Sequence, residues 1–212
     1  MFGVEFYGDG DSKLDSEHYP LLVTGKQVLN NWSRWPDPAS NIPWTGGYII
    51  SLTPTHGYDI LFLSPENKAG VWGGSHADNE TNTNTIHIVT NSPSPVTLYY
   101  CKFKADVVPK TGFGIAIHDA SGKLIFTDDE NLVSITGTAD TLQTRGVAHD
   151  EVFAFLQAVD LYNDFFTGGF GLLNINTGEY RFATPYQYNQ SVPSSEIFLT
   201  GGFLIGKLVQ DD

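Results

Sequence analysis

Apolar and polar positions alternate with a period of two residues in several short stretches of the chain, which predicts β-strands. In residues 113–118, large apolar side chains alternate with glycine, alanine and histidine, so one face of the stretch is apolar. A polar turn follows at residues 119–122, after which Leu124 and Phe126 return to the same spacing. Two strands joined by so short an Asp- and Gly-containing turn predict a β-hairpin.

The same pattern occurs three times. Each copy opens on Phe-Gly and an apolar strand, turns through polar residues, returns as a second strand and closes on an apolar residue followed by Thr-Gly. The copies begin at Phe2, Phe113 and Phe170 and close at Gly25, Gly137 and Gly201. We therefore predict three related meanders. We also predict that Gly122 and Gly178 occupy equivalent turn positions, at least one of them with positive φ.

A longer alternating strand precedes each of the last two copies, at residues 96–103 and 152–159. Residues 151–161 also fit a short amphipathic helix, but two phenylalanines at alternate positions and the repeat favour a strand. The sequence thus predicts an all-β protein of β-sandwich-like modules built from repeated three-strand meanders. We expect an N-terminal β module over residues 1–95, and a pair of related modules, 96–137 and 152–201, within residues 96–212.

The N-terminal module is expected to carry two long loops. Three prolines exclude regular structure from residues 35–44, and the Asn- and Thr-rich run at 73–85 has the composition of a loop. Between them, residues 48–52 and 58–63 predict a hairpin around the intervening Pro- and Gly-containing turn.

The charge of the chain narrows the classes of partner. Its 212 residues include 24 acidic and 11 basic ones, a net charge of −13. Binding to nucleic acid or to an anionic membrane surface requires clustered basic residues, so this negative charge disfavours both kinds of partner. The same charge promotes solubility. No apolar stretch is long enough to cross a bilayer or to act as an export signal, so we expect synthesis in a cytoplasm without a cleaved signal.

Catalytic and metal-binding patterns are weak. Ser75, His76 and Asp78 are near neighbours in the sequence, whereas a catalytic triad converges from separate elements. Residues 9–15 resemble the start of a calcium loop but have Lys13 at a ligand position. The histidines are scattered, and we expect those in strands, His87 and His118, to be half-buried. We therefore expect the protein to have no enzymatic activity, to bind no cofactor and to form no metal site within one chain. Binding of a metal by histidines of several chains at a symmetry axis remains an open alternative.

Cys101 is the one cysteine of the sequence and lies in an alternating strand. It can form no intrachain disulfide, and we expect a small, buried or half-buried side chain.

Aromatic residues provide the candidate interaction sites. They are Trp32, Trp35, Trp44, Tyr48, Trp72, Tyr186 and Tyr188. Their rings could form a platform for sugars or for a partner protein, or they could pin Pro-rich segments to the core. Pinning is the simpler interpretation of the tryptophans. The loops at residues 32–44 and 186–192 are the expected contact surfaces.

The second copy with its leading strand resembles small tail proteins of tailed bacteriophages. Residues 96–100 read Val-Thr-Leu-Tyr-Tyr, and residues 112–128 read Gly-Phe-Gly-Ile-Ala-Ile-His-Asp-Ala-Ser-Gly-Lys-Leu-Ile-Phe-Thr-Asp. Residues 1–25 begin in the same way and contain Asp15-Ser16 in place of the Asp-Ser ending of the family hairpin. The resemblance covers residues 1–25 and 96–137, and reaches 152–201 through the internal repeat.

The resemblance implies a structural virion protein of the tail tip, baseplate or fibre. Such a protein would assemble with other tail proteins as a homo-oligomer and take part in attachment to a bacterial receptor or glycan. It carries over no catalytic residue. The alternatives are a carbohydrate-binding β-sandwich module, favoured by the tryptophans, and a glycan hydrolase, for which no carboxylate pair stands out.

Overall fold

The computed structural model describes residues 20–34, 47–78, 84–103, 106–107, 115–128, 130–139, 146–156, 170–183 and 202–209. These residues form strands and connecting turns without a helix, so the all-β prediction is confirmed. The strands are β1 (Leu22–Leu29), β2 (Ser33–Arg34), β3 (Tyr48–Leu52), β4 (Ile60–Pro65), β5 (Val71–Asp78), β6 (Asn84–Thr90), β7 (Val96–Lys102), β8 (Ala116–His118), β9 (Leu124–Thr127), β10 (Leu132–Ala139), β11 (Glu151–Leu156), β12 (Phe170–Asn174), β13 (Tyr180–Ala183) and β14 (Gly202–Val209).

The strands form a closed barrel, a second sheet and a separate hairpin. The barrel has six strands in the order β1-β10-β14-β11-β4-β7, and the second sheet has six in the order β13-β12-β5-β6-β3-β2. The hairpin consists of β8 and β9. Every strand pairing in the described residues is antiparallel.

The barrel interior is an apolar cluster to which all six barrel strands contribute. Alternate residues of each strand point to it because side chains of a strand alternate between its two faces. Its members are Val23, Ile60, Phe62, Tyr99, Cys101, Val133, Val152, Ala154, Leu204 and Leu208, with Leu21 just before β1. Cys101 is buried there, as predicted.

A second core lies between the barrel wall and the second sheet. The outer faces of β4, β7, β11 and β14 supply Leu63, Leu98, Phe153 and Phe203, and the sheet supplies Trp72, Ile86, Ile88 and Leu173. The two layers approach closely at Gly74, where an added Cβ would lie 2.9 Å from the ring of Phe155. One wall of the barrel and the second sheet therefore make a sandwich-like pair of layers.

The two later hairpins have similar turns, although the turn of the third copy is one residue longer. Gly122 has φ 84° and Gly178 has φ 75°, so both stand in the left-handed region and the prediction is confirmed. The N–H of Asp119 donates to the carbonyl of the residue after Gly122 at 2.8 Å, and the N–H of Asn174 donates to the carbonyl of the residue after Gly178 at 2.9 Å. Each Asp or Asn side chain also accepts the backbone N–H two residues on, at 2.9 and 3.1 Å.

When the sequences of the two hairpins are aligned on these turns, their Phe-Gly pairs do not align. Phe113 stands six positions before Asp119, whereas Phe170 stands four positions before Asn174. The two copies therefore differ in the spacing between the Phe-Gly pair and the turn, and Phe113 and Gly114 themselves lie outside the described residues.

The second copy is the one whose hairpin and closing strand are both described, and its closing strand does not stay beside its hairpin. That strand lies in β10, which pairs with β1 and β14 of the barrel, whereas β8 and β9 pair with each other. The meander prediction is therefore wrong for the second copy. The closing residues of the first copy lie in β1, which is also a barrel strand, and β14 directly follows the third copy. Residues 1–19 and 184–201, which hold the rest of the first and third copies, lie outside the described residues.

The Thr-Gly ending encodes a β-bulge in both copies that can be compared. The register of β1 on β7 shifts between Val23 and Gly25, and that of β10 on β14 shifts between Ile135 and Gly137, so in each case the threonine is skipped. A glycine beside the extra residue suits the local kink of a bulge.

Two predictions of local structure were wrong, and the expected module boundary at residue 95 does not separate the two sheets. β3 and β4 do not form a hairpin, because β3 pairs with β6 and β4 with β7. Most of the expected loop at residues 73–85 is strand, since β5 and β6 pair along its length. Both sheets also combine strands from either side of residue 95, so no sheet boundary coincides with the expected module boundary.

Candidate functional site

Two tryptophans of the aromatic set, Trp32 and Trp72, pack against each other at the core between the two layers. The rings of Trp32 and Trp72 meet edge to face, with centroids 5.6 Å apart and planes at 74°. Trp72 is completely buried, and its indole N–H donates to the carbonyl of Ala69 at 3.1 Å. Trp32 is half-buried, and its N–H donates to the carbonyl of Ser94 at 2.9 Å. Trp72 therefore offers no surface to a ligand, which corrects its place among the interaction residues. The pinning interpretation accounts for both rings.

Tyr48 is the remaining member of the set within the described residues. It lies half-buried in β3, opposite Arg34 of β2 on one side and Thr90 of β6 on the other. The other four, Trp35, Trp44, Tyr186 and Tyr188, lie outside the described residues, so their role as contact residues stays a prediction.

A buried carboxylate joins three parts of the barrel. Glu151, which opens β11, is 2% exposed. One of its carboxylate oxygens accepts the hydroxyl of the bulged Thr136 at 3.0 Å, and the other accepts the N–H of Ala148 at 2.8 Å. The amine of Lys68 donates to the backbone carbonyl of Glu151 at 2.6 Å. The group links the connection between β4 and β5 to β10 and to the start of β11.

Lys68 is the residue of this group whose side-chain pKa is shifted. Burial lowers the pKa of its amine from 10.5 to about 8, although the negative charges of Glu151 and Asp150 act in the opposite direction. The hydroxyl of Ser64 lies 3.4 Å from the amine. A serine beside a lysine of lowered pKa is the arrangement of some hydrolytic dyads. Here the shortest hydrogen bond of the lysine goes to a backbone carbonyl, so the geometry is that of a structural tie.

Sequence reasoning missed this group because its members are far apart along the chain. Lys68, Thr136 and Glu151 belong to three different segments, and none forms part of a recognisable motif. The one local signal is an acidic residue at the start of an apolar strand, a position where a carboxylate is costly unless it is hydrogen-bonded.

The histidine and cysteine side chains show no reactive arrangement. The ring of His87 lies 2.8 Å from the hydroxyl of Ser51, and burial lowers its pKa, which confirms the half-buried position. His118 is exposed, so the expectation of a half-buried side chain was wrong there. Burial raises the pKa of the Cys101 thiol to about 12, which keeps it protonated and unreactive. Among the described residues, no three His, Cys, Asp or Glu side chains are grouped to hold a metal ion.

The β8–β9 hairpin exposes two of the three residues of β8, Ala116 and His118. It belongs to neither main sheet. Ile117 and Ile125 are buried, but Ile115, which leads into β8, is 47% exposed. At the tip, the ammonium of Lys123 forms an exposed ion pair with Asp106 at 3.2 Å. A strand pair that presents an apolar residue and a free edge to solvent is a candidate protein-contact surface.

Comparisons with known proteins identify no relative. No family model matches the sequence, no curated protein matches it, and no solved structure matches the fold. The described part of the chain contains no helix able to span a membrane.

Proposed function

We propose that this protein is a structural virion protein of a bacteriophage tail, placed at the tail tip, baseplate or fibre. It acts through surfaces that contact other tail proteins and takes part in attachment to the host. The proposal starts from residues 112–128, whose sequence resembles that of small tail proteins and which include the β8–β9 hairpin.

The observation that carries the proposal is that this hairpin stands outside both main sheets and is exposed. The left-handed Gly122 and the Asp119 side chain, which accepts the N–H groups of Ser121 and Lys123 at 2.9 Å each, hold its turn in one conformation. A hairpin whose turn is held in one conformation loses little conformational entropy when a neighbouring protein contacts it, which suits assembly.

The polar groups of the described interior also support a structural role. Glu151, Thr136 and Lys68 bond to one another and to the backbone, and Cys101 is held as a buried thiol. These groups are used to connect segments of the barrel. A protein that works through its surface needs such rigidity in place of reactive side chains.

The carbohydrate-binding alternative has less support from the described residues. Its main argument was the tryptophans, and the rings of Trp32 and Trp72 pack against each other. We therefore do not propose sugar binding as a separate function.

The proposal is tested on virions of the phage or prophage that encodes this chain. Purified particles should contain the protein by mass spectrometry, and gold-labelled antibody should mark one end of the tail. Disruption of the reading frame should give particles that lack complete tails or do not adsorb, and supply of the intact chain in trans should restore them. Normal infectious particles without the protein would refute the proposal.

A further inference from the structure

The outer edge of β8 differs from the corresponding edge in the third copy. There, β12 pairs with β13 on one side and with β5 on the other. β8 corresponds to β12 when the two hairpins are aligned on their turns, and among the described residues it pairs with β9 alone. The hairpin of the third copy thus joins the second sheet through β12, whereas among the described residues the corresponding edge of β8 in the second copy has no partner strand.

The backbone groups that form this edge can be identified. The carbonyl of Ile115 accepts the N–H of Asp128 at 3.1 Å, so Ile115 faces β9. Successive residues of a strand direct their N–H and C=O groups to opposite sides, so those of Ala116 and His118 point away from β9. Both residues are exposed to solvent.

The edge carries neither charge nor proline, and its short length of three residues is the one protective feature that it has. Soluble proteins protect their edge strands with charged residues, proline or very short length. The edges of the second sheet follow this rule, since β2 has two residues including Arg34, and β13 contains Arg181. β8 reads Ala-Ile-His and contains neither a proline nor a permanent charge.

We propose that β8 pairs with β8 of a second copy of this chain, antiparallel and around a two-fold axis. The equivalent edge of β12 is covered by an antiparallel strand whose paired residues, 71–74, are uncharged, and β8 is itself such a strand. With the axis at Ile117, each Ala116 lies opposite the other copy's His118, and no like charges are directly opposed at neutral pH. A strongly charged partner strand would find no counter-charge in β8.

The pairing is weak in dilute solution. A strand of three residues contributes far less than the roughly 800 Å² per partner of a stable interface. Each copy also carries a net charge of −13, so the copies repel at long range. Salt screens this repulsion, so self-association should tighten as the salt concentration rises. An assembly that holds copies side by side supplies a high effective concentration and populates the pairing. The inference does not depend on the viral assignment.

Sedimentation of the full-length chain over a range of protein concentrations tests the proposal. We expect a concentration-dependent monomer–dimer equilibrium that tightens between about 0.05 and about 0.5 M NaCl. A chain that stays monomeric at the highest soluble concentration in high salt overturns the proposal. Association that weakens with salt also overturns it, because it indicates contacts between opposite charges.

Two substitutions of Ala116 locate the interface. Ala116→Pro removes an outward N–H, and Ala116→Lys places a charge on the edge; each should weaken dimerisation at least about ten-fold. The matched controls are Ala116→Thr, which keeps the N–H, and Val28→Lys, which adds the same charge at an exposed apolar residue of β1. Both controls should dimerise like the parent. Unchanged dimerisation of the Pro and Lys variants, with circular dichroism confirming that they are folded, would refute pairing through β8.

Discussion

Gly206 is the position at which one added methyl group tests the packing of the barrel most directly. It lies in β14 opposite Ile135 of β10. A Cβ at Gly206 would lie 2.6 Å from Cγ1 of Val133 and 3.1 Å from the carbonyl oxygen of Ser134. Both distances are shorter than van der Waals contact, so Gly206→Ala must displace the Val133 side chain or the strand.

The expected cost follows from two opposing effects. Overpacking of a filled interior costs about 1–3 kcal/mol, and the reduced freedom of the unfolded chain with alanine returns about 0.5–1 kcal/mol. We therefore expect Gly206→Ala to lower the free energy of unfolding by about 1–2 kcal/mol. Val133→Ala alone should cost about 2–3 kcal/mol through lost burial and a cavity. The double variant should be about 1 kcal/mol more stable than the sum predicts, because the new methyl group occupies vacated space.

Urea unfolding followed by circular dichroism measures these free energies. Gly57→Ala is the matched control, because a Cβ there meets nothing within 4 Å and the substitution should not couple to Val133→Ala. The reasoning is refuted if Gly206→Ala costs no more than Gly57→Ala, or if its effect adds to that of Val133→Ala within about 0.3 kcal/mol.

Four further substitutions test three other features. Gly122→Ala should cost about 1 kcal/mol and lower Tm by about 2–4 °C because of the positive φ, although a Cβ there meets nothing within 4 Å; an unchanged Tm in calorimetry would contradict the left-handed turn. Glu151→Ala should cost about 3 kcal/mol or more and Thr136→Val about 1 kcal/mol, because the first removes two hydrogen bonds to a buried carboxylate and the second removes one; equal costs in urea unfolding would exclude a central role for the carboxylate. The pKa of Lys68 is about 8 in the fold and has the ordinary lysine value of 10.5 in the unfolded chain, so between these pH values the unfolded chain holds a proton that the fold has released. The free energy of unfolding should therefore rise with pH more steeply in the parent than in Lys68→Met, and identical slopes would show that Lys68 is not desolvated.

Sequence reasoning succeeded where the structure is decided by neighbouring residues. Asp119 with Gly122, and Asn174 with Gly178, form turns through local hydrogen bonds and a left-handed glycine, so their chemistry is readable from the sequence. The strands β7 and β11 were predicted for the same reason, because alternation is a local property.

The choice of partner strand is not a local property, and there the predictions failed. Alternation shows which face of β3 or β4 is apolar, but both faces of β4 are covered, one by the barrel interior and one by the second sheet. Nothing in residues 48–63 indicates that two adjacent strands enter different layers. The polar residues of β5 and β6 likewise concealed a hairpin whose stability comes from pairing with β3 and β12. Of the candidate site, Trp72 was named both as a possible interaction residue and, by the pinning interpretation, as a residue packed on the core. The sequence could not decide between the two, since burial depends on the layer packed above the residue.

The position of β14 has a consequence for the time at which the barrel can form. β14 pairs with β10 on one side and β11 on the other, and it begins at Gly202. A growing chain that has not yet reached this strand exposes one edge each of β10 and β11, together with the apolar residues that β14 covers. Closure of the barrel therefore waits for the synthesis of almost the whole described chain, and contacts between residues so distant in sequence form slowly. Copies synthesised side by side pass through a stage in which a strand of one chain can take the place of β14 in another.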